Sequence, residues 1–130
     1  MTGPARVGAV IYAKNLGPLT NFYRELLIAE VLHSDAEYAV LQSPDIQLVV
    51  HAIPQHIAST FEISVPPAPR EETAIKLFFA VPSLEWARGV VSNLGGIVQT
   101  PLWKGPGFKA CNAVDPEGNV FQIRVFGDAV

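Results

Sequence analysis

The side chains that could carry out acid–base or electrostatic chemistry in this sequence are few and lie far apart. His51 ends an apolar run of residues, and Lys76 and Arg124 lie on two other apolar runs. A histidine can exchange a proton near neutral pH, and a lysine or an arginine can stabilise an enolate or an oxyanion. These residue types would suit a lyase-like reaction. His51 is the only candidate for a catalytic residue, and a lone histidine at a strand end is more often an ordinary polar residue.

Other reactive residue types form no recognisable catalytic motif. Cys111 is the only cysteine, which excludes a disulfide or a cysteine-ligated zinc site within one chain, and we expect it to pack as a small apolar residue. His33 and His56 share no metal-ligand spacing with His51, and we expect both at the surface. The Gly-Pro-Gly sequence at 105–107 lacks the Lys-Ser/Thr of a phosphate-binding loop.

Composition and charge exclude several classes of function. The chain has 130 residues, of which 49% are hydrophobic and 16% are charged, so it can bury a core. A net charge of -3 gives no electrostatic footprint for nucleic acid or an anionic membrane, and we expect neither as a partner. No stretch is long and apolar enough for a signal peptide or a membrane span, so we expect a cytoplasmic protein.

Hydrophobic periodicity predicts a strand, a helix and three further strands in the first part of the chain. The apolar run 7–13 predicts the first strand. Asn15 can cap a helix whose apolar residues recur at steps of three and four. Short β-like runs follow around 30–34, 37–42 and 46–52.

The segment 53–73 breaks this pattern with four prolines, and we interpret it as a linker with a short strand at 61–65. After it the order of elements starts again. The predicted elements are a strand at 74–81, a helix capped by Ser83 and ended by Gly95-Gly96, a short strand at 97–99, a loop at 100–107 and a hairpin at 110–126.

The hairpin has the clearest local signal. Asp115–Asn119 (DPEGN) places a proline and a Gly-Asn pair between two apolar runs, which is typical of a tight turn. We expect Asp115 and Glu117 to cap this turn rather than to act as an acid–base pair. One constant offset along the chain aligns Asn15 with Ser83. The sequence therefore predicts an α+β protein in which a βαβββ module occurs twice, at about 5–52 and about 74–127.

Alternation along four of the strands separates two faces of the predicted sheets. One face is apolar throughout and should pack on the helices; it carries Val7, Ala9, Ile11, Ile46, Leu48, Val50, Ile75, Leu77, Phe79, Phe121, Ile123 and Val125. The other face is mixed; it carries Gly8, Val10, Tyr12, Gln47, Val49, His51, Lys76, Phe78, Ala80, Val120, Gln122, Arg124 and Phe126. The mixed face suits either a small-molecule pocket or a sheet face open to water.

The chain resembles the vicinal oxygen chelate superfamily, which includes glyoxalase I, bleomycin-resistance proteins and extradiol dioxygenases. The resemblance rests on the repeated βαβββ order, on Asn15 with Phe22-Tyr23, on Leu94-Gly95-Gly96 and above all on DPEGN. It implies two modules whose curled mixed sheets enclose a shared cavity, with the helices outside. It also implies a homodimer.

Metal-binding members of that superfamily carry His or Glu ligands on the cavity face. The matching positions here are Gly8, Gln47, Lys76 and Gln122, and none of them is a histidine or a carboxylate. Glycine offers no ligand, neutral amides are weak ligands and an ammonium repels a cation. We therefore expect no metal and no cofactor.

The first hypothesis is a metal-free protein that binds an unidentified small organic molecule, as bleomycin-resistance proteins do. The expected ligand-binding residues are Tyr12, Gln47, His51, Lys76, Phe78, Trp103, Gln122 and Arg124. Lys76 and Arg124 favour an anionic ligand, and the aromatic residues favour a flat one. Trp103, which flanks the predicted loop with Phe108, would line either the cavity or a dimer seam.

Two alternatives stay open. One is a glyoxalase- or lyase-like enzyme with a non-standard site, in which His51 is the base and Lys76 or Arg124 the electrophilic stabiliser. The other is a structural or interaction dimer in which the cavity is vestigial.

Overall fold

The computed structural model describes residues 5–127. Internal contacts divide the chain into two units, with the boundary between Glu62 and Ile63. This boundary lies within the segment 53–73 that we interpret as a linker. No helix in the described range is long and apolar enough to cross a membrane.

The first unit is one βαβββ module followed by a short helix. Its elements are β1 (Gly8–Ala13), α1 (Leu16–Leu27), β2 (Glu30–Ser34), β3 (Tyr38–Gln42), β4 (Gln47–Ala52) and α2 (Gln55–Ala58). The sheet has the order β1-β4-β3-β2, with β1 and β4 parallel and the other pairs antiparallel. The predicted order of elements is confirmed.

The apolar stripe of α1 explains how this sheet acquires two unlike faces. The buried residues of α1 follow helical spacing, and α1 contacts β3 and β4. Buried side chains on the sheet come from alternate positions, Ala39 and Leu41 on β3 and Leu48 and Val50 on β4. The residues between them point away from α1, so this face of the sheet is termed the open face.

The second unit repeats the arrangement. Its elements are β5 (Phe78–Ala80), α3 (Leu84–Asn93), β6 (Ile97–Gly105), β7 (Phe108–Val114) and β8 (Val120–Phe126), and its sheet has the order β5-β8-β7-β6. Phe121, Ile123 and Val125 are buried on the helix side. The fold class is therefore confirmed: each module is a four-stranded mixed sheet with a helix on one face.

The two predicted helix caps differ in the structure. Ser83 Oγ accepts a hydrogen bond of 3.0 Å from the backbone N–H of Trp86, as a helix cap should. Asn15 occupies the N-cap position of α1, but its side chain makes no capping hydrogen bond. The prediction is correct for the place of both helix starts and wrong for the role of the Asn15 side chain.

The strand predicted at 74–81 is reduced to the three residues of β5. Its parallel pairing with β8 begins where Gln122 N donates to Leu77 O, and further back the linker residue Arg70 pairs with Asn119 instead. Ile75 therefore lies outside the sheet, does not contribute to its apolar face, and is 76% exposed. Val7, just before β1, is also exposed rather than packed.

The loop predicted at 100–107 is wrong, because β6 continues to Gly105 and only two residues turn the chain into β7. Proline is tolerated in a strand at a sheet edge or an irregularity, and β6 is an edge strand whose register shifts between Val98 and Leu102. Pro101 lies in that irregularity. Gly107, with φ of 76°, supplies the turn.

The strand predicted at 61–65 does not form. The carbonyl oxygen of Phe61 accepts a hydrogen bond from Lys14 Nζ, which also lies 4.9 Å from the centre of the Phe61 ring. A side chain thus takes the acceptor that a neighbouring strand would have used. The linker segment 53–73 instead contains the one-turn helix α2, which was not predicted because of the prolines in this segment.

The Asp115–Asn119 turn is held by a fully buried carboxylate. Asp115 Oδ1 accepts hydrogen bonds from the backbone N–H groups of Glu117 and Asn119, at 2.8 and 3.0 Å, and Oδ2 accepts one from Asn119 Nδ2 at 2.8 Å. Asp115 therefore caps the turn as expected.

We expect Asp115→Ala to lower the free energy of unfolding by about 3 kcal/mol, because it strips three donors of their acceptor in a buried turn. Asp115→Asn is the matched variant: it keeps an oxygen for the two backbone donors, and its loss should be about half as large. Urea unfolding followed by circular dichroism measures both. An Asp115→Ala protein as stable as the parent would contradict this role.

Candidate functional site

The expected ligand-binding residues are divided between the open faces of the two sheets. Tyr12, Gln47 and His51 lie on the first sheet. The other five belong to the second unit, where Phe78, Trp103, Gln122 and Arg124 lie on strands and Lys76 precedes β5.

On the first sheet the strand register aligns the open-face residues in rows. Gly8 pairs with Gln47 and Gln47 with Gln42, and Gln47 Nε2 donates a hydrogen bond of 3.1 Å to Gln42 Oε1. Tyr12 pairs with His51, which pairs with Tyr38. At one end of this face the paired side chains are the amides of Gln47 and Gln42, and at the other end they are the rings of Tyr12, His51 and Tyr38.

The aromatic row extends across all four strands. Ring centres are 5.8 Å apart for Tyr12–His51, 6.0 Å for His51–Tyr38 and 4.5 Å for Tyr38–His33. The last two pairs are nearly parallel, with interplanar angles of 9° and 24°. Sequence reasoning missed Tyr38 and placed His33 only at the surface, because the row depends on a register that includes a β2 irregularity.

The His51 ring has a defined tautomer. Its Nδ1 lies 2.8 Å from the carbonyl oxygen of Ala52, and a carbonyl only accepts hydrogen bonds, so Nδ1 carries the proton. In the neutral ring the lone pair is therefore on Nε2. This is the tautomer that a general base acting through Nε2 would need.

Asp35 anchors the His33 end of the row. Backbone N–H groups of Tyr38 and Glu37 and the His33 ring all hydrogen-bond its carboxylate, and they lower its pKa from 3.8 to about 2. The largest contribution comes from Tyr38.

Asp35→Asn should flatten the pH dependence of stability between about pH 4 and pH 2. A carboxyl group whose pKa is lowered by folding adds stability above its unfolded pKa, and that stability is lost as the pH falls through the folded value. Urea unfolding at a series of pH values measures the slope, and Asp45→Asn in the exposed β3–β4 turn is the control. Equal slopes for the parent and Asp35→Asn would contradict this assignment.

On the second sheet Arg124 is the centre of the open face. Phe78 on β5 and Phe108 on β7 flank β8 from opposite sides, and the guanidinium carbon lies 3.7 and 4.2 Å from their ring centres. Phe126 packs against Phe108 with ring centres 5.6 Å apart. Arg124 Nε donates to Gln122 Oε1. Within residues 5–127 its Nη atoms have no hydrogen-bond acceptor and no ion-pair partner.

Two neighbours shape this arrangement. A side chain at Gly105 would overlap the Phe108 ring, so glycine lets that ring lie over the end of β6. Trp103 is on β6, in the same row as Ala110 and Arg124, and is 38% exposed. It therefore belongs to the open face rather than to a loop.

Lys76 precedes β5 and has a different hydrogen-bond partner from that of Arg124. Its ammonium donates a hydrogen bond of 3.1 Å to Asn112 Oδ1, and both residues line a polar pocket beside Val120. Cys111 points to the opposite, buried side. Burial raises the pKa of its thiol, with a smaller opposing effect from the charge of Arg88, so it is suited to packing and not to nucleophilic chemistry.

The positions that match metal ligands do not fit a metal ion. Gly8 has no donor, Lys76 is a cation, and the Gln122 oxygen already accepts a hydrogen bond from Arg124. Gln47 is committed to Gln42 through its nitrogen and offers only an amide oxygen. In the described part of the chain, no three His, Cys, Asp or Glu residues come together as a ligand group.

Solved structures with the same fold include proteins named as glyoxalase/bleomycin resistance proteins or dioxygenases. The chain is similar to a family enzyme of this kind from Burkholderia phytofirmans PsJN, with a TM-score of 0.70 and 15% identity over 94% of this chain and 98% of that one. No family sequence model matches the chain, and no curated protein matches it in sequence.

Two further similar structures carry more specific names. Fosfomycin resistance protein FosX from Mesorhizobium loti has a TM-score of 0.63 and 11% identity, over 96% of this chain and 93% of that one. Lactoylglutathione lyase from Agrobacterium tumefaciens has a TM-score of 0.58 and 18% identity, over 96% of each chain. At these identities the likeness shows the fold alone. The chain has the vicinal oxygen chelate fold, as the sequence resemblance implied.

Proposed function

We propose that this protein binds a small organic anion on the open face of its second sheet, without a metal and without chemical conversion. The observation that carries the proposal is the Arg124 guanidinium, which lies between two phenylalanine rings while its Nη edge has no acceptor among the described residues.

The geometry of a guanidinium explains why this arrangement favours an anion. All five N–H groups lie in the plane of the group, so rings over its faces leave its hydrogen-bonding edge open. The rings also replace water over the faces, which strengthens the attraction to an incoming charge. A carboxylate can then accept two parallel hydrogen bonds from the fixed edge, with little rotamer freedom left to lose.

The surroundings favour a ligand with a flat apolar part. Phe78 and Phe126 are half exposed, and Trp103 extends the aromatic surface along the Arg124 row. An aromatic acid would place its carboxylate on Arg124 and its ring against these side chains. The aromatic row with Tyr12 and His51 is a second surface that we expect to favour flat ligands.

Isothermal titration calorimetry with benzoate and benzamide tests the proposal, because the two probes share a ring and differ in charge. We expect benzoate to bind at least tenfold more tightly than benzamide. Arg124→Met should weaken benzoate binding by at least tenfold, about 1.4 kcal/mol. Lys104→Met is the matched control, since Lys104 lies on the opposite face of the sheet at the end of β6.

Arg124→Lys is a second variant that distinguishes a loss of binding from a loss of folding. It keeps the positive charge but loses the forked hydrogen-bonding edge of the guanidinium. It should bind benzoate with an affinity between those of the parent and Arg124→Met. Equal binding of benzoate and benzamide, or unchanged benzoate binding by a folded Arg124→Met protein, would contradict the proposal.

The enzyme alternative has one observation in its favour, the lone pair on His51 Nε2. It would use His51 as base with Lys76 or Arg124 as stabiliser. Because similar structures include a lactoylglutathione lyase and a fosfomycin resistance protein, proton NMR of lactoylglutathione and fosfomycin incubated with the protein distinguishes the two functions. Our proposal predicts unchanged spectra, whereas consumption that His51→Gln abolishes would favour the enzyme.

The homodimer stays a prediction. The strongly exposed apolar side chains Val65 and Ile75 in the second unit are compatible with it, since an isolated chain gains nothing by exposing them. The interaction-dimer alternative would use the same surfaces and would leave Arg124 without a ligand.

A further inference from the structure

A pocket of about 200 Å³ lies on the second unit, and apart from Lys76 its residues have no expected role. It is lined mainly by polar side chains: Arg70, Thr73, Lys76, Gln99 and Asn112, with Glu71 and Val120 beside them. Sequence reasoning missed it because Arg70, Glu71 and Thr73 come from the linker.

The linker is fixed against the sheet where it forms this pocket. Arg70 N donates a hydrogen bond of 2.8 Å to Gly118 O, and Arg70 pairs with Asn119 in an isolated bridge. A side chain at Gly118, whose φ is 90°, would overlap the carbonyl oxygen of Ala68. The close approach therefore requires glycine at that place, and it holds Arg70 beside the DPEGN turn.

The chemistry of the lining favours an anion. Arg70 and Lys76 contribute two positive charges and Glu71 one negative charge, so the formal charge is 2 − 1 = +1. Asn112 accepts from Lys76 through Oδ1, which leaves its Nδ2 as a donor. Ammonium, guanidinium and amide N–H groups thus outnumber the acceptors that could bind a cation.

The pocket and Arg124 lie on the same open face. Asn112 pairs across the hairpin with Gln122, and Gln122 accepts from Arg124. Because Gln122 N bonds to Leu77 O, Lys76 lies beside Val120, the first residue of β8. Val120 is four residues before Arg124. At the rise of a strand this is about 13 Å between the backbone positions, and the long side chains can shorten the distance between their charges.

We propose that the pocket is a second anion subsite, so that the ligand of the Arg124 site is an elongated dianion with an acidic group at each end. This inference rests on the proposed function. One acidic group lies on Arg124, the apolar middle lies along the Phe78 side of β8, and the other acidic group lies among Lys76, Arg70 and Asn112. We expect an acid whose two groups are adjacent to reach only one of the two cations.

Calorimetry at low ionic strength with four aromatic acids tests this. Terephthalate has carboxylates at opposite ends of its ring, phthalate has them adjacent, monomethyl terephthalate has the same length with one charge masked, and benzoate has one carboxylate. We expect terephthalate to bind at least tenfold more tightly than monomethyl terephthalate, and phthalate to show no such gain over benzoate. Screening by salt should reduce the gain.

The ratio of the terephthalate and monomethyl terephthalate affinities identifies the subsite. Lys76→Met should bring this ratio close to one. Arg70→Met should also reduce the ratio, and because Arg70 lies outside the sheet, this variant is the test if the Lys76→Met protein does not fold. Lys104→Met should leave the ratio unchanged. A ratio near one in the parent, or one that survives both variants, would overturn the subsite.

The two proposals fail in different ways. If the four acids bind through Arg124 with no gain for terephthalate, the second subsite is wrong and the anion-binding function stands. If Arg124→Met binds all four acids as the parent does, the proposed function is wrong as well.

Discussion

The register between β7 and β8 depends on the buried Asp115 carboxylate, and the candidate site depends on that register. With the turn closed, Ala110 lies opposite Arg124 and Asn112 opposite Gln122. A shift of one residue would turn every side chain of β8 to the other face. It would place the Arg124 guanidinium in the apolar layer beneath α3, where an unpaired charge is very costly. One turn thus sets both the buried face and the open face.

Gln122 decides which chemistry this open face supports. A carboxylate at that position could ligate a metal, and beside Arg124 it would also form an ion pair. The amide accepts from Arg124 Nε without cancelling its charge. In the part of the chain that the structure describes, no carboxylate pairs with Arg124, so the positive charge stays available to an external anion. The amide at Gln122, like the non-ligand residues at Gly8, Gln47 and Lys76, does not fit a metal site, and beside Arg124 it favours anion capture.

Period-two alternation predicted the two faces of strands such as β8, because burial against a helix imposes it there, but it was wrong for Val7 and Ile75, which lie outside the strands. The sequence could not indicate that β6 passes through Pro101, since a proline is tolerated there only because the strand is at the edge of its sheet. The row from His33 to Tyr12 and the pocket around Arg70 also escaped prediction. Both depend on pairings between distant segments, which local patterns do not encode.

The position of the Arg124 guanidinium is measured most directly by the NMR signal of its Nε–Hε group, assigned by its loss in Arg124→Lys. The hydrogen bond to Gln122 and the two ring centres near the guanidinium carbon should give the Hε resonance a position distinct from that of a free arginine. Benzoate should then move the signal in a saturable manner, and benzamide should not. A signal at the position of a free arginine that no acid moves would contradict the account.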